Sequence, residues 1–193
     1  MAWNTERTKL LLLAAATHEF SDKGFAGARV DRIAKNAGVN KERIYEYYGS
    51  KCGLFDAALA DLFPHDLEVP LDAGGLGSFV GQLFDRYCED DTAARLLLWE
   101  ALEAAPGAVE TGPSIRWWTR QVDRLLVAIP GTDRASAADI LLTIVTLCAC
   151  WPVIQLRESI PSRERAGRDA ARRASVVSTV LLAVQPLIDS GTA

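Results

Sequence analysis

A run of hydrogen-bonding side chains between residues 41 and 47 is the part of the sequence best suited to chemistry. It contains Lys41, Glu42, Arg43, Tyr45 and Tyr47. Lysine and arginine donate to guanine edges and phosphates, tyrosine bonds a phosphate or touches a thymine methyl group, and glutamate accepts from cytosine. The segment therefore predicts contact with double-stranded DNA, in which Lys41 and Arg43 read the bases.

The elements before this segment must present it to a groove. Helical spacing predicts a second helix over residues 30–37 and a third over about 40–47, which begins at an Asn40 cap. The joint Gly38-Val39-Asn40 is a three-residue turn of the kind found in helix-turn-helix motifs. A small apolar seam locks the two helices together and leaves the other face of the third helix free for a major groove. The seam consists of Ile33, Ala34, Ala37, Val39 and Ile44.

Two further cations flank the motif. Arg29 opens the second helix, and Lys51 opens a fourth helix capped by Ser50. Amides at helix starts bind phosphate, so Arg29 and Lys51 are expected to clamp the DNA backbone on either side of the groove. A first helix is expected from a cap at Asn4 or Thr5 to about Phe20, followed by a break with Gly24 as its stop.

The charge distribution agrees with this interpretation. Net charge is −4, yet residues 1–55 carry nine Lys or Arg against six Asp or Glu, and all five lysines lie there. The remainder carries twelve basic against nineteen acidic residues. The sequence thus predicts a basic head on an acidic body.

The rest of the chain is predicted to be helical as well, because no strand-like alternation is long enough for a sheet. The fold class is all-α, with a three-helix head and a larger C-terminal helical bundle, about nine helices in all. Pro64 is expected to close the fourth helix before a loop over 65–77, Pro113 suits a first helical turn, and Ser136 with Asp139 forms a capping box. The remaining helices are predicted at 78–89, 92–105, 113–129, 136–156 and 162–188.

The segment from Leu12 to Lys51 resembles the TetR family of bacterial repressors. It has Phe, Gly and an aromatic residue, then Ile-Ala, Ala-Gly-Val, Tyr, an aromatic residue and Ser-Lys at the family's spacing. The resemblance implies a DNA-binding head over residues 1–50 and a ligand-binding, dimerising domain over 51–193. It also implies a phosphate contact for Lys51, a core position for Tyr48, and a cytoplasmic repressor released from its operator by a small, largely apolar ligand.

Three residues depart from the family pattern. Ala28 stands where a capping Thr is usual, which weakens the start of the second helix by about 1 kcal/mol unless another group caps it. Glu42 replaces a small residue and repels phosphate unless it faces a base. Glu19 occupies a site that is usually apolar. The operator sequence and the strength of binding therefore remain open.

The body carries the large rings that line cavities in helical domains, although the same rings also build plain cores. The resemblance places an effector cavity among helices four to eight, for a flat apolar ligand met by a polar group of Tyr87, Gln121 or Thr143. The candidate ligand-binding residues are Phe84, Tyr87, Trp99, Leu102, Trp117, Trp118, Gln121, Thr143, Leu147 and Trp151.

The last two helices are predicted to form a homodimer interface. The eighth helix is apolar almost all round, and the ninth repeats apolar residues from Val176 to Ile188, so both need covering on two sides. Upstream arginines between residues 163 and 173 are interleaved with Glu164 and Asp169, which favours a solvated or salt-bridged face.

Other classes of function find little support. The four cysteines and two histidines lack metal-site spacing, no nucleophile motif occurs, and we expect no cofactor, no catalytic residue and no metal. The uncharged run at 140–154 is too short to span a bilayer, and no secretion signal is visible. Two alternatives stay open: a regulator of this fold that binds DNA without an effector, and an enzyme or small-molecule carrier that has lost DNA binding.

Overall fold

The computed structural model describes residues 2–62, 71, 75–103, 113–154 and 159–191. Within those ranges the chain forms nine helices and no strand, which confirms the predicted all-α class. The helices are α1 (Ala2–Gly27), α2 (Val30–Ala37), α3 (Glu42–Tyr48), α4 (Lys51–Leu62), α5 (Leu76–Glu89), α6 (Thr92–Glu103), α7 (Pro113–Ala128), α8 (Arg134–Val153) and α9 (Ser162–Gly191).

The chain divides into two compact units. Unit 1 comprises Met1–Pro64 and Arg95–Arg116, and unit 2 comprises His65–Ala94 and Trp117–Ala193. In unit 1, α1 packs against α2 and α4, and α3 packs against α4. In unit 2, α5 packs against α8 and α9, which also pack against each other. The helix α4, which the sequence assigned to the second domain, thus packs with the head.

The core of unit 1 follows the helical spacing of α1. Leu12, Ala16 and Phe20 are fully buried, at four-residue intervals that align them on one face. The Phe20 ring meets the Phe55 ring edge-on at a centroid distance of 5.0 Å. Burial of each such side chain contributes about 1.5–3 kcal/mol. The predicted seam of α2 and α3 joins this core, with Ile33 and Ile44 fully buried.

The turn between α2 and α3 is set by Gly38. Its backbone has φ 68° and ψ 28°, the left-handed conformation in which a side chain is unfavourable, and its N–H donates to the Lys35 carbonyl at 3.1 Å. This confirms the predicted end of α2. The prediction that Asn40 caps α3 was wrong, because Lys41 is the N-cap residue and makes no side-chain cap bond. The backbone instead closes the turn, with Arg43 N donating to the Asn40 carbonyl at 3.1 Å.

Several predicted helix boundaries differ from the structure; α1, for example, begins at Ala2 and not after a cap at Asn4 or Thr5. α1 does not end at Phe20 but runs to Gly27 with an interruption at Gly24, and the Ser21 hydroxyl bonds the His18 carbonyl at 3.0 Å within the helix. α8 begins earlier than Ser136, because the Asp133 carboxylate accepts from the backbone N–H groups of Ala135 and Ser136 at 2.8 and 3.0 Å. Local propensity does not show which of several polar residues will reach the free amides.

Some predicted boundaries lie outside the described residues. These are the helix end at Pro64, the end near Ala105, and most of the loop over 65–77. The predicted end of α8 near Leu156 was wrong, because the helix ends at Val153 and Ile154 is extended, with φ −72° and ψ 128°. Pro113 does open α7, as its position in the sequence predicted.

Unit 2 is built around α8. Leu141, Ile144 and Cys148 on α8 are fully buried, and the thiol of Cys148 lies 3.7 Å from the Val80 carbonyl on α5. Burial raises the pKa of this thiol to about 12, so it stays protonated. By length and composition α8 is also apolar enough to cross a membrane. Part of this apolar surface is buried against α5 and α9.

Candidate nucleic-acid interface

The third helix turns its polar face outward. Ile44 is fully buried and attaches α3 to the core, whereas Glu42, Arg43 and Tyr45 on the other side are exposed. Tyr47 is half-buried, and Lys41 lies exposed at the start of the helix. The structure therefore brings the predicted reading residues together on one accessible face, and their contact with bases remains a prediction.

Two of the cations on this face are paired with carboxylates of the same motif. Lys41 Nζ lies 3.3 Å from Asp31 Oδ1 on α2, and Arg43 Nη1 lies 2.6 Å from Glu46 Oε2 on α3. The hydrogen bond to Asp31 raises the pKa of Lys41, and that to Glu46 raises the pKa of Arg43. Both side chains stay cationic, and both are already engaged before DNA arrives.

Two tyrosines near the end of α3 contact residues of this face and of α1. The Tyr47 ring lies near two cations, with Lys9 Nζ at 5.8 Å and Arg43 Cζ at 5.9 Å from its centroid. Tyr48 is half-buried, and its hydroxyl donates to the Lys9 carbonyl on α1 at 3.2 Å. Burial raises the pKa of Tyr48, which keeps that donor protonated. Tyr48 thus ties the end of α3 to α1.

Glu19, which the sequence marked only as a departure from the family pattern, binds the start of α2. Glu19 on α1 is 6% exposed, and its Oε1 accepts from Arg29 N at 3.0 Å. The same oxygen accepts from Arg32 Nε at 2.8 Å and Nη2 at 2.6 Å. The hydrogen bond from Arg32 is the largest of the effects that lower the pKa of Glu19. Glu19 therefore supplies from α1 the cap that Ala28 cannot.

The departures from the family pattern at Glu19 and Ala28 are thus related, because the first compensates for the second. Ala28 is buried, and Arg29, the N-cap residue of α2, makes no side-chain cap bond of its own. A carboxylate on the buried face of α1 needs polar partners there, since burial of an unpaired charge is costly. The signal in the sequence was the combination of an acidic residue on an apolar stripe with a missing cap nine residues later.

The two predicted phosphate-clamp residues lie at helix starts as expected. Arg29 is exposed at the N-cap of α2, and Lys51 is the first residue of α4. The Ser50 hydroxyl accepts from Gly53 N at 3.0 Å, which confirms the predicted cap of α4. Lys51 Nζ lies 4.7 Å from the centroid of the Phe25 ring, so a cation–π contact orients it. Their binding of phosphate stays a prediction, as does that of the exposed Asn40.

The predicted ligand-binding residues divide between the two units. Phe84, Tyr87, Trp117 and Gln121 are buried in unit 2, and Gln121 Oε1 accepts from Arg124 Nη1 at 3.1 Å. Trp118, Leu147 and Trp151 in the same unit are half-buried. Thr143 is exposed, and its hydroxyl donates to the Asp139 carbonyl at 2.8 Å within α8.

Trp99 and Leu102 lie instead in unit 1. The Trp99 indole N–H donates to the Ser21 carbonyl at 3.3 Å, and its ring lies so close to Gly24 that a Cβ there would come within 2.9 Å of Cε3. Leu102 is 75% exposed. Trp99, Leu102 and Thr143 are therefore not among the buried candidate residues of unit 2, and their assignment to an effector site has no structural support.

Comparison with known proteins agrees with this geometry. Residues 12–58 match the family described as "Bacterial regulatory proteins, tetR family", and residues 75–181 match the "Tetracyclin repressor-like, C-terminal domain". The HTH-type transcriptional repressor SCO4008 of Streptomyces coelicolor is 32% identical over 180 residues, which span 89% of this chain and 92% of that protein.

Solved structures show the same fold. The regulator SCO4942 of Streptomyces coelicolor has a TM-score of 0.61 and 32% identity, with 90% of this chain and 96% of that chain covered. The fatty acid degradation regulator FadR of Bacillus halodurans has a TM-score of 0.65 at 17% identity, with 90% and 94% covered. Given an exposed polar face on a helix-turn-helix and relatives that match over both units, the chain belongs to the TetR family of DNA-binding transcriptional regulators.

Proposed function

We propose that the protein is a repressor that inserts α3 into the major groove of an operator. The observation that carries the proposal is the sidedness of α3, where a fully buried Ile44 leaves the cationic and phenolic side chains exposed. The similar protein of Streptomyces coelicolor is named a transcriptional repressor. The proposed DNA-contacting residues are Arg29, Asn40, Lys41, Glu42, Arg43, Tyr45, Tyr47 and Lys51.

A homodimer through α8 and α9 would supply two reading heads. Val176, Val180 and Val184 face the core of unit 2, whereas Leu182 on α9 is 75% exposed and Leu142 on α8 is 56% exposed. Large apolar side chains exposed on both helices favour pairing with the same helices of a second copy. Two copies of α3 would then contact half-sites about 34–36 Å apart on a pseudopalindromic operator.

The effector site is proposed among the buried residues of unit 2. Tyr87 is 3% exposed and Gln121 is 1% exposed, so a phenol and an amide are buried in the same unit as the apolar side chains of Phe84 and Trp117. Such a mixture suits a flat apolar ligand with one polar group. We infer that the ligand prefers the state that does not bind DNA, since only differential affinity shifts the equilibrium. The protein would act in the cytoplasm, where bacterial operators lie.

The experiment is selection from a random duplex library by the purified full-length protein, followed by titration of the selected duplex. We expect a pseudopalindromic site that binds more tightly than a scrambled duplex, with an affinity that falls as salt rises. Sedimentation of the protein should give a dimer. If no sequence is enriched above nonspecific binding, the proposal is wrong.

The effector is tested on the same selected duplex. Addition of a flat apolar probe, 1-anilinonaphthalene-8-sulfonate, should release the protein from the duplex, and Gln121→Leu should weaken that release more than Thr143→Ala. Release that is equal in both variants would place the probe elsewhere. An affinity unaffected by the probe, or by a panel of flat apolar compounds, would favour a regulator that needs no effector.

A further inference from the structure

The exposed face of α2 and α3 that is proposed to contact DNA also carries three carboxylates. Asp31, Glu42 and Glu46 all lie exposed on α2 and α3, and each repels the phosphates of any duplex. Two of these carboxylates contact a cation that is proposed to bind DNA. These carboxylates therefore affect which groups of the DNA those cations can bind.

The Arg43 guanidinium is restrained on two sides. Glu46 accepts its hydrogen bond at 2.6 Å from the next turn of the same helix, and the Tyr47 ring centroid lies 5.9 Å from its Cζ. An arginine carries five N–H donors in a planar fork, and a single bond to Glu46 leaves donors for a base edge. A free arginine, by contrast, can rotate toward phosphates at the side of the groove.

We infer that Glu46 is a positioning residue that determines specificity by holding Arg43 toward the bases. The inference rests on the proposed insertion of α3 into the major groove. A phosphate of arbitrary DNA must draw Arg43 away from Glu46, whereas the O6 and N7 atoms of a guanine accept from the fork while the pair persists. Glu46 thus weakens binding to all DNA, and it weakens binding to the wrong sequence more.

The pair of Lys41 and Asp31 offers a matched control. Asp31 neutralises one positive charge on the same face as Glu46 does, because Asp31 Oδ1 lies 3.3 Å from Lys41 Nζ. An ammonium is a point charge without a directional fork, so its carboxylate partner lowers affinity for every duplex alike. Asp31→Asn and Glu46→Gln each remove one negative charge. Only Glu46→Gln is expected to change the ratio of the affinities for the selected and the scrambled duplex.

The test measures the Kd of the full-length protein for the selected duplex and for a scrambled duplex of the same composition, from 50 to 200 mM salt. For Glu46→Gln we expect about three- to tenfold tighter binding of the scrambled duplex, with a salt slope steeper by about one. Binding of the selected duplex should change by less than about twofold, because the guanine contact is retained. Asp31→Asn should tighten both by the same factor.

A second background shows whether Glu46 acts through Arg43. In the Arg43→Ala protein, Glu46→Gln should tighten both duplexes alike, since no guanidinium remains to be positioned. Equal effects of Glu46→Gln on both duplexes in the wild-type background would overturn the inference. So would a weaker selected duplex with an unchanged scrambled one, because Glu46 would then read a base itself. Failure of the wild type to select any duplex would instead overturn the proposed function.

Discussion

Two ion pairs in the same helix-turn-helix head differ in burial, and we expect the buried pair to stabilise the fold and the exposed pair to affect DNA binding. The Glu19 side chain is 7% exposed and that of its partner Arg32 is 41% exposed, and one carboxylate oxygen also accepts from the backbone N–H of Arg29, the N-cap residue of α2. In the pair of Arg43 and Glu46 the side chains are 51% and 54% exposed. Water competes for the exposed pair and not for Glu19.

The comparison teaches that the family pattern can be met by different residues. The usual side-chain cap is local to α2, whereas here the cap comes from α1 and also joins the two helices. The exposed pair contributes little to folding, and its proposed role is to hold Arg43 toward the bases. Four predictions sharpen or break this contrast, in order of decreasing size.

The largest effect is expected on DNA affinity from Lys41→Ala combined with Arg43→Ala. Loss of both cations should weaken binding of the selected duplex at least about 30-fold, since each good base contact contributes about 1–3 kcal/mol. Fluorescence anisotropy with a labelled duplex measures the Kd. The free energy of unfolding should change by less than about 0.5 kcal/mol, because both positions are exposed. An unchanged Kd would show that neither cation contributes to binding of the selected duplex.

The second effect is on stability. Glu19→Ala should lower the free energy of unfolding by about 2 kcal/mol, because it removes a helix cap and a charged hydrogen bond from a buried position. Urea denaturation followed by circular dichroism measures it. Glu46→Ala is the control and should cost less than about 0.5 kcal/mol. Equal losses in the two variants would contradict the contrast.

The third prediction concerns pH. Arg32 lowers the pKa of Glu19 below its ordinary value of 4.5, so the folded protein binds this proton less readily than the unfolded chain does. The resulting stabilisation is fully present above that ordinary value and is lost as the pH falls through the lower, folded pKa.

Urea titrations of the wild type and Glu19→Gln between pH 7 and pH 3 test this directly. The stability difference between the two proteins should be constant near neutral pH and should shrink below about pH 4.5. Arg32→Met is the control and should change the pH dependence of the difference, because it removes the largest of the effects that lower the pKa of Glu19. A difference that stays constant to pH 3 would show that folding does not shift the pKa of Glu19.

The smallest effect is the coupling within the exposed pair. A double-mutant cycle on Arg43 and Glu46 should give about 0.5 kcal/mol or less for stability, as for other pairs at this spacing on a helix surface. The matching cycle on Glu19 and Arg32 should exceed about 1 kcal/mol. Unfolding curves in urea supply both values. A larger coupling in the exposed pair would mean that it too holds the fold.

Much of the head could be predicted because its determinants are local. Gly38 permits the left-handed turn, Ser50 caps α4, and the spacing of Leu12, Ala16 and Phe20 places them on one face. Such features depend on residues within a few positions of each other. The end of α1 and the start of α8 were misplaced, since several polar residues compete for the same amides and the packed structure decides among them.

The sequence by itself determined the helical class, the helix-turn-helix and the residues available to its outer face, because periodicity, glycine conformation and side-chain chemistry are local properties. Only the tertiary structure decided that Glu19 caps α2 and that Trp99 packs on Gly24. It also paired Lys41 with Asp31 across the turn. These contacts join residues separated along the chain, and their geometry exists only once the helices have packed.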